Sequence, residues 1–203
     1  RAYSGNVTAT GNWNFGGATF VVDSATTSSP TRYINMDQYS LTAGAINIDG
    51  YGLSYNGYLK LGSSSAHSVG SISNSGAGTQ NILDMGSSTI SVSGNIDFSK
   101  ILVTPGTSTI NFTATATGKT VKLASQTLNT VNFTGVGGGW TLQDDLTAAS
   151  ITITNGNLID NARTVTVNGS ISIANTTGLL TSTGTWIQGA SGNISNPHST
   201  NGF

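Results

Sequence analysis

The sequence predicts an all-β fold, a single parallel β-solenoid (β-helix) over residues 1–203 with about eight coils of about 25 residues each. Three observations predict it. Segments with an apolar residue at every second position recur along the chain. Each carries a glycine, or in one case an aspartate, at its centre. These centres fall at 11, 44, 70, 94, 118, 144, 169 and 192, so the intervals are 33, 26, 24, 24, 26, 25 and 23 residues. Period-two alternation is the signature of a strand with one buried face. No segment shows the 3.6-residue period of a helix. Strand repeats without helices bury their apolar faces by stacking coil on coil. A β-sandwich or barrel also has short, evenly spaced strands, but rarely repeats one unit through a whole chain. The pattern leaves the handedness open.

The coils follow in order. "VTATGNWNF" (7–15) sets Val7, Ala9, Trp13 and Phe15 around Gly11, and "SLTAGAINI" (40–48) sets Ile46 and Ile48 after Gly44. "AHSVGSISN" is a weaker copy around Gly70. "TISVSGNIDF" (89–98) sets Ile90, Val92, Ile96 and Phe98 around Gly94. "ATATGKTVKL" has Gly118 and then slips by one residue, so that Val121 and Leu123 take the apolar face. "WTLQDDLTA" has Asp144 at the centre, "TVTVNGSISI" (164–173) has Gly169, and "QGASGNISN" has Gly192. Between the centres lie further strand-like pieces such as "STINFTA" (108–114) and "NTVNFTG" (129–135). Gly11, Gly44, Gly70, Gly94, Gly118, Asp144, Gly169 and Gly192 therefore read as corner residues, where a missing side chain or a left-handed backbone suits a sharp bend. The first interval carries extra residues near "SATTSSPTRY" (24–33), read as a loop on one face.

Composition agrees with a turn-rich β fold. Ser, Thr, Gly and Asn number 27, 31, 27 and 20 of 203 residues. Charged residues are 7% and the net charge is −1, which offers nothing to nucleic acid or an anionic membrane surface. All eight acids are Asp. With no cysteine, disulfides and thiolate metal sites are excluded. No apolar run approaches the roughly 20 residues of a membrane span. The chain starts at Arg1 without a hydrophobic leader, so it is expected to be processed or excised at that end.

No residue set announces a reaction. "GKT" at 118–120 lacks the earlier glycine of a phosphate loop, since Thr113 stands there. "GVGGGW" (135–140) reads as a flexible inter-strand turn. Asp144 and Asp145 are the only adjacent acids, and neighbouring strand residues point to opposite faces. His67 and His198 are expected to be solvated. An ice-binding face needs a Thr-x-Thr ladder, but Thr8/Thr10 and Thr115/Thr117 have Ser91/Ser93, Thr141/Gln143 and Thr166/Asn168 as their counterparts. The expectation is therefore no enzyme, no catalytic residue, no metal and no cofactor. Two surface features remain. Tyr33, Tyr39, Tyr51, Tyr55 and Tyr58 cluster within 26 residues and are a candidate binding face for glycans or a protein partner, with local groove filling as the alternative. Asn6, Asn111, Asn132, Asn168, Asn175 and Asn193 are sequons, in the number chance alone gives.

Units such as "STISVSGNIDF" and "TLQDDLTAASITITNGNLIDNARTVTVNGSISI" resemble the Gly/Ser/Thr/Asn-rich solenoid repeats of large prokaryotic surface proteins, including adhesins and surface filaments. Viral tail spikes use similar solenoids. The resemblance implies an extracellular or cell-surface scaffold, with no universal active-site motif. Neither end offers a cap, so either the chain is cut from a longer solenoid or its ends meet other copies; the expected function is a structural subunit of an extracellular filament or surface layer whose solenoid ends join copies head to tail. The alternative is an attachment module for surface glycans. A polysaccharide-processing enzyme or an ice-binding protein stands behind these.

Overall fold

The computed structural model describes residues 6–23, 33–50, 57–64, 66–76, 81–174, 177–189 and 191–195. They form a parallel β-solenoid, and no helix occurs among them. Every paired strand is parallel to its partner, one coil away.

Each N-terminal coil has three faces. The inward ladder of the first face runs Val7, Ile34, Leu59, Leu83, Val103. That of the second face runs Trp13, Leu41, His67, Ile90, Ile110, Val131, Ile151, Ile171, Ile194. The third runs Phe20, Ile46, Ile72, Ile96, Val121, Leu142. In the C-terminal coils, Leu146, Val165 and Trp186 form the ladder that precedes the second face. Nearly all these side chains are buried, because each coil's apolar row is covered by the next. The second ladder climbs eight steps, about 38 Å at the usual strand spacing of roughly 4.8 Å.

Coil length is not constant. Along the second ladder, at residues 13, 41, 67, 90, 110, 131, 151, 171 and 194, the steps are 28, 26, 23, 20, 21, 20, 20 and 23 residues. The interval of about 25 between sequence centres therefore drifts around the coil. Gly44, Gly70 and Gly94 lie between second-face and third-face residues. Gly169 and Gly192 lie at the preceding corner, before the second-face positions Ile171 and Ile194. Asp144 lies between Leu142 and Leu146, at the remaining corner. The near-identical segments 89–98 and 164–173 thus occupy different corners.

Both corners make the same demand, and it is close approach. A Cβ on Gly70 would lie 2.0 Å from the Gly44 carbonyl oxygen, and one on Gly192 would lie 1.9 Å from that of Gly169. Neither has a positive φ. The left-handed backbone expected at these corners occurs elsewhere. Gly62, Gly86 and Gly106 have φ of +73°, +54° and +53° and stack above Asp37, itself at 54°. The first three carbonyls of this column each accept a backbone N–H one coil away: Asp37 from Ser63, Gly62 from Ser87 and Gly86 from Thr107. These turns separate the first face from the second. Gly118 is also left-handed, at +80°, with open space around it, while Gly11 has neither constraint.

An aromatic cluster fills the core of the middle coils. The Phe112 and Phe133 rings stack at 4.8 Å and 9°, and Trp140 closes on them at 6.1 and 5.2 Å. The glycines of "GVGGGW" serve this ring. A Cβ on Gly138 would come within 2.6 Å of the Trp140 ring, and one on Gly156 within 2.8 Å. The segment is a packed seat for Trp140 as well as a turn, which corrects its reading as flexible.

Candidate functional site

The tyrosine cluster is only partly assembled. Tyr33 and Tyr58 meet edge to face at 6.0 Å, at the first-face edge of successive coils. Lys60 Nζ lies over both rings, at 4.4 and 5.2 Å. This cation–π arrangement covers one face of each ring. Tyr39 packs against the core instead. Tyr51 and Tyr55 lie outside the described residues.

The paired acids diverge, each tied to backbone. Asp144 accepts from the N–H groups of Leu123 and Ala124 in the preceding coil, at 2.8 and 2.6 Å. Asp145 accepts from Thr164 N–H in the next coil at 2.8 Å. Asp144 is therefore a clamp between coils rather than a left-handed corner. Ala124, which it holds, and the following Ser125 have the positive φ values, 50° and 64°.

His67 is a correction. It sits on the second ladder among aliphatic residues and is buried. Nδ1 accepts from Leu41 N–H at 3.2 Å, so Nε2 carries the proton and donates to the Leu61 carbonyl at 3.0 Å. Burial holds its pKa below the usual histidine value, and the Leu61 bond opposes that only in part. His198 lies outside the described residues.

Asp160 is the polar centre that sequence reading missed. It follows Ile159 on the inward parity and is fully buried. Its carboxylate accepts from Thr183 N–H (2.9 Å), Gly184 N–H (3.0 Å), Trp186 Nε1–H (3.0 Å), Ala162 N–H (3.3 Å) and the Ser182 hydroxyl. Burial pushes its pKa up. The bonds from Ser182, Thr183, Trp186 and Ala162 outweigh this and leave it below the ordinary value. Like Asp144, it is a backbone acceptor. Among the described residues no three His, Cys, Asp or Glu side chains gather to hold a metal. No helix among them is long and apolar enough to cross a membrane.

The longest regular surface is uncharged. Outward on the second face, one ladder runs Asn14, Thr42, Ser68, Ser91, Asn111, Asn132, Thr152, Ser172, Ser195. Beside it run Thr89, Thr109, Thr130 and Ser150. Asn132 donates to Asn111 at 2.9 Å, and Ser150 to Thr130 at 3.3 Å. Two residues apart along a strand is about 6.7 Å, and coil to coil about 4.8 Å, so these groups make a flat two-dimensional array. Sequence comparison missed it by pairing residues that do not stack. Thr8, for example, lies on the first face opposite Asn35.

The sequons divide by the same geometry. Asn111 and Asn132 are half-buried in the ladder, and the Asn6 side chain accepts from Tyr33 N–H at 3.2 Å. Asn6, Asn168 and Asn193 are exposed, and Asn175 lies outside the described residues.

The outermost rungs are the remaining feature. Seven large hydrophobic side chains are exposed among the described residues. Two of them, Phe15 and Ile194, are inward residues of the first and last described rungs, whereas Val21, Leu179 and Ile187 of the same rungs point outward. At the first rung Trp13, Phe15 and Phe20 pack together at 5.0–6.2 Å and line a cavity of about 630 Å³ with Val7 and Ile34. Comparison with known proteins found no matching family model, no matching curated sequence and no matching solved structure.

Proposed function

We propose that the chain is a structural unit of an extracellular filament or cell-surface layer, built by stacking solenoid on solenoid. One observation carries this reading: the outer strand edges of the first and last described rungs have no partner strand among the described residues, and the inward Val7, Trp13, Phe15, Trp186 and Ile194 there are only partly buried or exposed. Stable solenoids cap such ends or guard them with Lys, Pro or charge. Here the last rung, residues 177–189 and 191–195, has no charged side chain, and the first, 6–23, has only Asp23. Very low charge and abundant Ser, Thr and Asn fit an exposed surface scaffold. Among the described residues, exposed Asn6, Asn168 and Asn193 are the sequons available for glycans. Sedimentation velocity of the purified chain tests assembly: concentration-dependent growth of rods supports it, and a single monomer boundary at all concentrations counts against it.

A second reading is attachment to a neutral, hydroxyl-rich polymer, favoured by the nine-rung uncharged ladder. Co-pelleting with insoluble polysaccharides tests it. Binding that vanishes when Asn111, Asn132 and Thr152 are replaced by Lys supports the reading, and binding that survives those changes does not.

A further inference from the structure

We infer that a second copy of this chain seats its first rung on the last rung of the one before, in unbroken ladder register. Ile194 then lies beside Trp13 of the next copy, Trp186 beside Val7, and Ser195 beside Asn14. This rests on the assembly reading and specifies its contact.

The strands themselves set the register. Val165 pairs with Trp186, so the next rung of that ladder must begin with an inward residue opposite Trp186. Ile171 pairs with Ile194, and Ser172 with Ser195, so the second face needs an inward residue followed by an outward polar one. The first rung supplies them in the same chain order: Val7 inward, then Trp13 inward and Asn14 outward. Their free edges run parallel to those of the last rung, as β-augmentation between solenoids requires.

Side-chain size and charge agree. Each end offers one tryptophan to one aliphatic partner, Trp186 to Val7 and Trp13 to Ile194. Val7, Trp13 and Trp186 are only partly buried in the single chain, and Ile194 is 51% exposed. A rung placed there fills the cavity lined by Val7, Trp13, Phe15, Phe20 and Ile34. With no charge on the last described rung, no described residue of that rung repels the incoming edge. The contact is head to tail, so it repeats without closing. The outward ladder continues across it from Ser195 to Asn14 without a charged interruption.

The chain has no cysteine, which makes the register directly measurable. Asn14→Cys and Ser195→Cys are outward changes, made singly and together. Under mild oxidation, the double variant is expected to give a ladder of disulfide-linked oligomers. An equal mixture of the two single variants is expected to give dimers, and each single variant alone none. Pairing Asn14→Cys with Asn193→Cys shifts the site by two residues, about 6.7 Å, beyond disulfide reach, and is expected to lower the yield at least about tenfold. Circular dichroism checks that each variant keeps its β signal. Rods in the microscope with no 14–195 cross-link, or with equal 14–193 yield, overturn the register but leave assembly standing. Monomers at every concentration overturn both.

Discussion

Replacing Asp160 by Ala tests whether single polar side chains clamp one coil to the next. Its carboxylate takes hydrogen bonds from Ala162 in its own turn and from Ser182, Thr183, Gly184 and Trp186 one coil on. Hydrogen bonds to a charged group contribute about 1.5–3 kcal/mol each in isolation, and they do not add. Removing the acceptor leaves buried N–H groups unpaired and a cavity where the carboxylate sat. Breaking a buried charged network of this kind costs about 3–5 kcal/mol. With a urea slope near 2 kcal/mol/M, the midpoint falls by about 2 M. Asp160→Asn keeps the shape but turns an amide N–H₂ toward donors, so it loses most of the same energy. Solenoids can unfold coil by coil, so the assay pairs urea titration with amide hydrogen exchange. Protection is expected to fall at Thr183, Gly184 and Trp186 while the coils around Ile90 keep theirs. The sign with pH also follows. The folded-state pKa of Asp160 lies below its unfolded value, so its stabilisation is full above about pH 4 and fades as pH falls through the folded value. A loss under about 1 kcal/mol in both variants, or a loss of protection spread evenly along the chain, refutes the clamp.

Three further outcomes follow. His67 is held below its unfolded pKa, so the unfolded chain takes up the proton first; stability should hold above about pH 6.5 and fall as pH drops below it, while His67→Leu removes that slope, all read as melting temperature against pH. An unchanged slope in the variant counts against this origin. Gly70→Ala drives a Cβ to 2.0 Å from the Gly44 carbonyl and should cost about 1–3 kcal/mol or more, whereas Gly11→Ala meets nothing within 4 Å and should stay within about 0.5 kcal/mol; equal denaturation midpoints would remove the close-approach account. Phe133→Ala opens the stack between Phe112 and Trp140 and should cost about 3–5 kcal/mol by chemical denaturation, with a loss near 1 kcal/mol showing that the site collapses freely.

The solenoid was legible because burial has period two and each coil must repeat its neighbour's inward face. Ile90, Val92, Val165 and Val167 all announced it. The register was not, because coils of 20 and 28 residues share one composition and two corners ask for the same glycine. Gly94 and Gly169 therefore looked equivalent while standing at different corners. The left-handed column hid in plain view as "LGSS", "MGSS" and "PGTS" at 61–64, 85–88 and 105–108, where glycine precedes Ser or Thr in each coil. Asp160 and His67 could not be found by alternation, since each occupies an inward position and depends on donors or acceptors in another coil. The tyrosines near one another in sequence part because Tyr39 turns into the core while Tyr33 and Tyr58 stack across coils.

Electron cryomicroscopy of the purified chain over a range of concentrations reads end-to-end stacking without a cross-link. Unbranched rods with strands perpendicular to the axis are expected. Their spacing of about 4.8 Å should continue through every subunit boundary, with a subunit repeat of about nine rungs, roughly 43 Å. Dispersed single particles one chain long, with both ends facing solvent at every concentration, would contradict it.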